Sequence, residues 1–190
     1  EYRALATKPG KVAKEKGNAA RAMTGAAKVV EATYEVPFLA HAAMEPMNCV
    51  VQMTKEGCEL WYGTQMQSGD QGAIQKALKG DIAGRVANRL GVGAENIKLN
   101  MLYAGGSFGR RAAGDSDYVM EAVSIAAAID GRAPVKLVWT REDDMKAGYY
   151  RPFTVHRAEI GFDAKGKVTA WDHRIVSQSI LAGSPFEPFM

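Results

Sequence analysis

The most regular pattern in the sequence is an apolar residue at every fourth position between residues 74 and 90. The five positions are Ile74, Leu78, Ile82, Val86 and Leu90. Because this spacing places side chains on one side of a helix, it predicts a helix over 71–90 with one face in a core. Ser68 and Gln71 have the spacing of a capping box, and Gly91 stands where such a helix would end.

A second predicted helix covers residues 118–129, where one residue in twelve is charged. A helix that is apolar on all sides is typical of a fully buried element. Asp115 or Ser116 is the expected N-cap, and Gly131 marks the expected end of the helix.

Strand patterns surround both helices. Strands are predicted at 29–36, 97–103, 134–140, 154–162 and 168–176, with a strand hairpin at 47–62. The segment "FLAHAAMEP" before the hairpin is predicted as a short helical bridge, and "REDD" at 141–144 as a charged exit from a strand into a loop. Runs of strands separated by helices predict an α+β fold with a mixed sheet and two main helices.

The hairpin register predicts the state of both cysteines. A turn at Lys55 and Glu56 puts Met53 opposite Cys58 and Cys49 opposite Tyr62. We therefore expect two buried thiols and no disulfide. Two cysteines are also too few for an iron–sulfur cluster, which usually takes four ligands from the protein.

The composition excludes some classes of protein. The chain has 190 residues, 47% of them hydrophobic, which is enough to bury a core. Residues 1–28 contain seven basic and two acidic residues, a local charge of +5, so the formal net charge of +3 leaves −2 for the other 162 residues. This balance argues against a nucleic-acid partner for the main body.

The ends and apolar runs of the chain give two further expectations. No apolar run approaches the ~18 residues of a membrane span, so we expect no membrane-spanning segment. The sequence starts at Glu1 without an initiator Met or a signal peptide, and we interpret it as a piece of a longer protein.

The segment "YAGGSFGRR" at 103–111 lies between a predicted strand and a predicted helix. Glycine permits positive φ and close backbone approach, and successive free amides can form a cradle for an anion. The segment lacks the spacing of the Walker and Gly-x-Gly-x-x-Gly motifs. Arg110 and Arg111 would add charge to whatever the amides bind. From the residues alone, an anion site and a tight turn with solvated arginines both stay open.

Histidines offer weaker candidates. His41 and Glu45 are four residues apart and could share a helix face as metal ligands, but without a third ligand we favour packing or capping. His156 and His173 lie in strand patterns, and we interpret both as structural. No metal-ligating residue is assigned.

Five longer segments occur in an order that carries a family resemblance. They are "MEPMNCVV", "LWYGTQMQSG", "GGSFGRR", "DYVMEA" and "VKLVWTREDD". Together they resemble the molybdenum-binding large subunit of the xanthine dehydrogenase/aldehyde oxidase family, and are most similar to its isoquinoline 1-oxidoreductase β-subunit branch. The resemblance covers residues 29–176. It implies a first, incomplete molybdopterin-binding domain at 29–190, preceded at 1–28 by a linker or the tail of a hammerhead-like domain.

The resemblance also implies a set of cofactor-binding residues. They are Gln65, Gly105, Gly106, Ser107, Phe108, Gly109 and Arg110. The glycine loop would lie under the metal end of a molybdopterin cytosine dinucleotide that carries molybdenum. Phe108 would exclude water there, and Gln65 would donate a hydrogen bond beside the metal. Ser107 departs from the glycine usual in the family and can add a hydroxyl contact.

The implied activity is that of a molybdenum hydroxylase that oxidises an aldehyde or N-heterocycle carbon with oxygen from water. Electrons would pass to a small [2Fe–2S] subunit, and the branch suggests the bacterial periplasm. Ala112 stands where xanthine-oxidising relatives carry a substrate-orienting glutamate, which disfavours purine substrates. No residue matches the catalytic base of the family, so the catalytic residues are unknown and the chain alone is expected to be inactive. A non-enzymatic anion- or nucleotide-binding module and a structural domain of a larger subunit stay as alternatives.

Overall fold

The structure, a computed structural model, describes residues 1–79, 93, 95–183 and 187. The chain divides into two compact units, one formed by Glu1–Leu39 with Arg151–Met190 and the other by Ala40–Tyr150. The domain boundary between residues 28 and 29 stays a prediction. Among the described residues, no helix has the length and apolar character that a membrane crossing requires.

Runs of strands are separated by helices along the described chain, as the α+β prediction requires. The helices are α1 (Tyr2–Ala6), α2 (Ala19–Thr24), α3 (Gln67–Lys79), α4 (Asp117–Ala128) and α5 (Arg141–Ala147). The strands are β1 (Lys28–Val36), β2 (Leu39–Ala40), β3 (Asn48–Thr54), β4 (Gly57–Tyr62), β5 (Ile97–Met101), β6 (Val135–Val138), β7 (Tyr150–Arg151), β8 (Thr154–Phe162) and β9 (Val168–Ser177). The fold class is therefore confirmed.

The unit that contains both chain ends is built on an antiparallel sheet with the strand order β1-β8-β9. Helices α1 and α2 pack against β8 and β9, and the backbone amide of Ala27 donates to Phe162 O at 2.8 Å. Ala6, Val155 and Ala170 are the buried apolar residues in the described part of this unit. Its three strands lie where the alternating pattern predicts them, to within one residue at each end.

The unit of residues 40–150 contains a mixed four-stranded sheet with the order β5-β4-β3-β6. The β4–β5 pair is parallel, whereas β3 pairs antiparallel with both β4 and β6. Met53 lies opposite Cys58, which confirms the predicted hairpin register. Both cysteines are buried and free, and burial raises the pKa of each thiol to about 12, so they stay protonated at neutral pH.

Helices α3 and α4 cover the mixed sheet and close its core. Ile74 and Leu78 of α3 are buried, as predicted, together with Val119 and Val123 of α4. The predicted positions Ile82, Val86, Leu90 and Gly91 lie outside the described residues. Helix α3 begins at Gln67, so Ser68 lies inside the helix and the predicted capping box is wrong.

Four further expectations are corrected by the structure, in whole or in part. Helix α4 is not buried on all sides, because it packs with one face on the sheet and exposes Glu121, Ser124 and Ile125. Ser116 is the N-cap by position, but its hydroxyl makes no cap bond. The bridge at 38–46 is not helical and contains strand β2, and strand β5 ends at Met101 rather than at residue 103.

The sequence pattern also missed helix α5. The backbone amide of Asp143 donates to the side chain of Thr140, and the Asp143 carboxylate accepts from the backbone amide of Thr140. This capping box starts a helix where the charged residues predict a loop.

Candidate functional site

The parallel β4–β5 pair brings two chain segments to one edge of the mixed sheet. Tyr62 at the end of β4 lies opposite Met101 at the end of β5, and the backbone amide of Leu102 donates to Tyr62 O at 2.9 Å. Because parallel strands end at the same edge, segment 63–66 after β4 and the glycine loop at 103–109 after β5 leave the sheet side by side. The segment that carries Gln65 and the glycine loop therefore start at the same edge of the sheet.

The glycine loop has backbone dihedral angles that residues other than glycine rarely adopt. Gly106 and Gly109 have φ values of 102° and 99°, and Phe108 has a φ of 56°. Among the described residues, the amides of Gly106, Ser107, Phe108 and Gly109 have no hydrogen-bond partner. Successive unpaired amides in such a loop are suited to bind an anion.

Gln65 is joined to the loop through Ser107. The Ser107 hydroxyl donates to Oε1 of Gln65 and also accepts from the backbone amide of Arg111 at 3.1 Å. In the described structure, the NH₂ group of Gln65 has no acceptor. The serine that departs from the family glycine therefore fixes the orientation of the Gln65 amide.

The two arginines after the loop turn inward. Arg110 is 3% exposed, pairs with Asp117 (Nη2–Oδ2, 2.6 Å) and lies over the rings of Trp139 and Tyr149. Both arginines were expected to add charge to a bound ligand, but Arg110 instead neutralises a carboxylate within the unit. The assignment of Arg110 to cofactor binding stays a prediction.

The buried side chain of Arg111 holds the glycine loop in place. It is 2% exposed, and its guanidinium donates to Gly106 O and Gly63 O, each at 3.1 Å. Nη2 also lies 3.4 Å from Oε2 of Glu45. Because one side chain bonds the glycine loop and the segment before Gln65, it fixes the distance between them.

Glu45 is a site residue whose role the sequence did not indicate. Its carboxylate accepts hydrogen bonds from the backbone amide of Gly105 and from the side chain of Asn48. A Cβ at Gly105 would lie 2.6 Å from Cβ of Glu45, so this contact requires glycine. Burial alone would raise the pKa of Glu45, but these hydrogen bonds and the charge of Arg111 together hold the pKa below its ordinary value.

Asp70 organises the segment around Gln65 from the core side. Its buried carboxylate accepts hydrogen bonds from Tyr62 Oη (2.8 Å), Thr64 Oγ1 (2.6 Å) and Ser116 Oγ (2.6 Å). Burial and the neighbouring Asp70 carboxylate raise the pKa of Tyr62, so this hydroxyl remains a donor. The sequence offered no signal for this network, because its members lie up to 54 residues apart.

The hypothesis that His41 and Glu45 are metal ligands assumed that both lie on one helix face, and this assumption is wrong. The two residues do not lie on a helix, and Glu45 is committed to Gly105, Asn48 and Arg111. Within the described ranges, no group of three or more His, Cys, Asp or Glu residues could hold a metal ion. What the site presents is a set of nitrogen donors that suits the oxygens of a bound ligand.

Comparison with known proteins identifies the family. The family profile described as "Molybdopterin cofactor-binding domain" matches residues 5–188. The chain therefore belongs to the family of molybdopterin cofactor-binding domains.

Two curated relatives agree with this assignment. The chain is 30% identical, over 86% of its length, to the aldehyde oxidoreductase molybdenum-binding subunit PaoC of Escherichia coli (strain K12). It is 32% identical, over 74% of its length, to the isoquinoline 1-oxidoreductase subunit beta of Brevundimonas diminuta. These matches cover 20% and 16% of the relatives, so the chain spans about a fifth of their length or less.

The fold is shared with solved structures. The crystal structure of quinoline 2-oxidoreductase from Pseudomonas putida 86 superposes with a TM-score of 0.54 at 20% sequence identity. The match covers 83% of this chain and 18% of that one. The family profile and the curated relatives confirm the resemblance that the sequence motifs carry.

Proposed function

We propose that this chain presents the glycine loop and Gln65 to the metal end of a molybdenum–molybdopterin cofactor, in an enzyme that oxidises an aldehyde or N-heterocycle carbon. The observation that carries the proposal is the run of four unpaired amides at 106–109 next to the unpaired NH₂ group of Gln65. Both belong to one edge of one sheet, so a single ligand can contact both.

The donor set fits such a cofactor. The oxygen atoms of the metal centre and of the phosphate groups accept hydrogen bonds, and the residues supply nitrogen donors without a nearby unpaired carboxylate. Glu45 is the closest acidic side chain in the described network, and its charge is compensated by Arg111. A Cβ at Gly106 would lie 3.3 Å from Cε2 of Phe108 and 3.5 Å from Cβ of Ala43, and φ is positive there, so the loop conformation favours glycine at this position.

The chain's own residues would position and shield the cofactor. When bound, the cofactor supplies the redox centre that takes two electrons from the substrate carbon. The Gln65 NH₂ group donates a hydrogen bond without adding a charge, and Ser107 keeps that amide in one orientation. Phe108 is 77% exposed, and we expect its ring to cover the bound ligand and exclude water.

The finer assignments follow from similarity to the aldehyde and isoquinoline oxidoreductase subunits. We propose that the cofactor is the cytosine dinucleotide form and that electrons leave to a small [2Fe–2S] subunit. A periplasmic location in a bacterium is proposed on the same basis. Ala112 stands where xanthine-oxidising relatives carry a glutamate, and this difference favours aldehydes or N-heterocycles over purines as substrates.

A pair of glutamine variants tests the role of Gln65. In the full subunit that contains this chain, Gln65→Leu removes the amide donor but keeps the side-chain size. We expect kcat for aldehyde oxidation to fall about 100-fold while the molybdenum content stays unchanged. The matched control is Gln67→Leu, since Gln67 contacts Met101 Sδ at 3.1 Å and makes no bond to the loop. Equal activity of the two variants would contradict the assigned role.

A further inference from the structure

The β1-β8-β9 sheet packs on helix α2 with one face and leaves the other face open. A Cβ on Gly161 of β8 would lie 3.0 Å from Cβ of Ala26 and 3.1 Å from Sδ of Met23, so Gly161 belongs to the face that packs on the helix. Because side chains alternate between the two faces along a strand, His156 of β8 belongs to the open face.

His173 of β9 shares this face with His156. Its register partner is Ala158, two residues along β8 from His156, so the two histidines are diagonal neighbours on adjacent strands. Long side chains reach each other across such a diagonal. Nδ1 of His156 lies 3.1 Å from Nε2 of His173, and the ring centroids are 5.3 Å apart. The rings therefore face each other nitrogen to nitrogen.

The distance between the two nitrogens suits a shared metal ion. Imidazole nitrogens bind Zn²⁺ at about 2.0–2.1 Å. Two bonds of about this length to nitrogens 3.1 Å apart enclose an angle of about 100° at the metal, between the square-planar and the tetrahedral value. His173 is exposed and His156 is half-buried, so small rotations of the rings turn both lone pairs towards an ion on the solvent side.

A neutral histidine pair can take up the ion without losing a proton. In the contact between the rings, one nitrogen donates and the other accepts. A neutral imidazole carries its single proton on either ring nitrogen. When the donating ring carries its proton on its other nitrogen, both facing nitrogens offer a lone pair. The ion then forms two bonds to nitrogen and keeps water at its remaining positions.

The open face places no cation beside the histidines. The structure describes every residue of β1, β8 and β9, and on this face the one charged residue is Lys28 at the start of β1. Lys28 lies opposite Phe162, four residues along β8 from Ala158, which corresponds to about 13 Å. The ring of Trp171 lies edge-on to His173, with centroids 6.5 Å apart. No charged side chain of this face therefore repels a divalent ion at the pair.

We propose that His156 and His173 form a two-histidine site for a divalent transition-metal ion such as Cu²⁺. Imidazole suits such ions, and Cu²⁺ binds most tightly among the divalent first-row metals. This role differs from the structural one that the strand patterns indicate for both residues. The inference is independent of the proposed function, because the site belongs to the other compact unit and its ion is not the molybdenum of the cofactor.

The test is a titration of the ¹⁵N-labelled chain with Cu²⁺ at pH 7, followed by NMR and by calorimetry. Paramagnetic Cu²⁺ broadens nearby signals, so the amide signals around His156 and His173 should disappear first. His156→Gln and His173→Gln each remove one of two linked ligands, and each should lower the affinity at least about tenfold. His41→Gln, which changes the third histidine of the chain, is the matched control and should keep the affinity. Mg²⁺, which prefers oxygen ligands, should leave the spectrum unchanged.

Three results would overturn the site. Equal Cu²⁺ affinity in the parent chain and in both glutamine variants would show that the histidines do not bind the ion. A loss of affinity in only one of the two variants would mean a single-imidazole, adventitious contact. Broadening that begins away from β8 and β9 would place the ion elsewhere. The broadening pattern of the parent chain decides the last point without any variant, and the metal-free spectra of the variants show whether the sheet is retained.

Discussion

Glu45 contacts the first glycine of the "GGSFGRR" segment. Its carboxylate accepts a hydrogen bond from the Gly105 amide, and the neighbouring Arg111 guanidinium donates to Gly106 O and Gly63 O. Because Glu45 has a lowered pKa in the folded chain, its stabilising contribution is present above the ordinary glutamate pKa and is lost as the pH falls through the lowered value.

We therefore predict an acid titration at one end of the loop. The Gly105 amide proton should show a pH-dependent NMR shift with a midpoint below the ordinary range of glutamate, since protonated Glu45 is a weaker acceptor. In Glu45→Gln this inflection should disappear. A midpoint at or above the ordinary glutamate value would contradict the arrangement of Glu45, Asn48 and Arg111.

Residue roles could be predicted from sequence only where a motif carries them. Gln65 and the loop were identified together from "GTQ" and "GGSFGRR", and the structure places them in contact. The partners of the arginines could not be identified this way, because Glu45 and Arg111 are 66 residues apart and meet only through the folded sheet. Adjacent charges in a sequence do not reveal whether a guanidinium points to solvent or to a buried carboxylate.

Helix α3 supports the edge of the sheet from which the loop emerges. Ile74 and Leu78 are buried, while Lys76 and Lys79 are exposed, as the four-residue pattern predicts for these positions. The Asp70 network fixes the first turn of the same helix to Thr64 and Ser116. Packing of α3 therefore affects the segment that carries Gln65.

Truncation of a buried side chain on this face of α3 should lower the stability of the folded chain. Leu78→Ala should lower the free energy of unfolding by about 2–5 kcal/mol, because it removes buried methyl groups and leaves a cavity. Lys76→Ala on the exposed face is the control and should change it by less than about 0.5 kcal/mol. Denaturant midpoints measure both, and equal values for the two variants would mean that the buried face is assigned wrongly.

Helices and strands could be predicted where the hydrophobic pattern extends over many residues. They could not be predicted where an N-terminal cap determines the start of a helix. Strands β1, β8 and β9 and the β3–β4 hairpin followed from alternation and turn residues. Helix α5 did not, because four charged residues in five positions concealed the Thr140–Asp143 capping box. Helix α4 was assigned correctly as a helix, but composition could not show that it packs on one face only.

At the scale of the whole molecule, the chain provides one part of a large binding site. It spans about a fifth of the curated relatives, and the donors that we propose for the cofactor belong to one loop and to Gln65. A large dinucleotide cofactor must gain enough contact to offset its lost freedom and desolvation. One exposed loop does not supply that contact.

The isolated 190-residue chain should therefore contain no molybdenum and oxidise no substrate. Elemental analysis of the purified chain, with aldehyde and N-heterocycle assays that use an artificial electron acceptor, measures both properties. Stoichiometric metal together with turnover would overturn this prediction and would require a catalytic base among the carboxylates of this chain.

The central claim, that the glycine loop is the cofactor cradle, is tested most directly by the molybdenum content of two glycine variants in the full subunit. Gly106→Ala forces alanine to a φ of 102° and brings a Cβ to 3.3 Å from Phe108 Cε2 in the loop. Gly166→Ala forces alanine to a φ of 79° in the β8–β9 turn, where a Cβ meets nothing within 4 Å. The account predicts that Gly106→Ala loses most of its molybdenum, whereas Gly166→Ala, with comparable backbone strain, keeps it. Full molybdenum content in both variants would contradict the cradle.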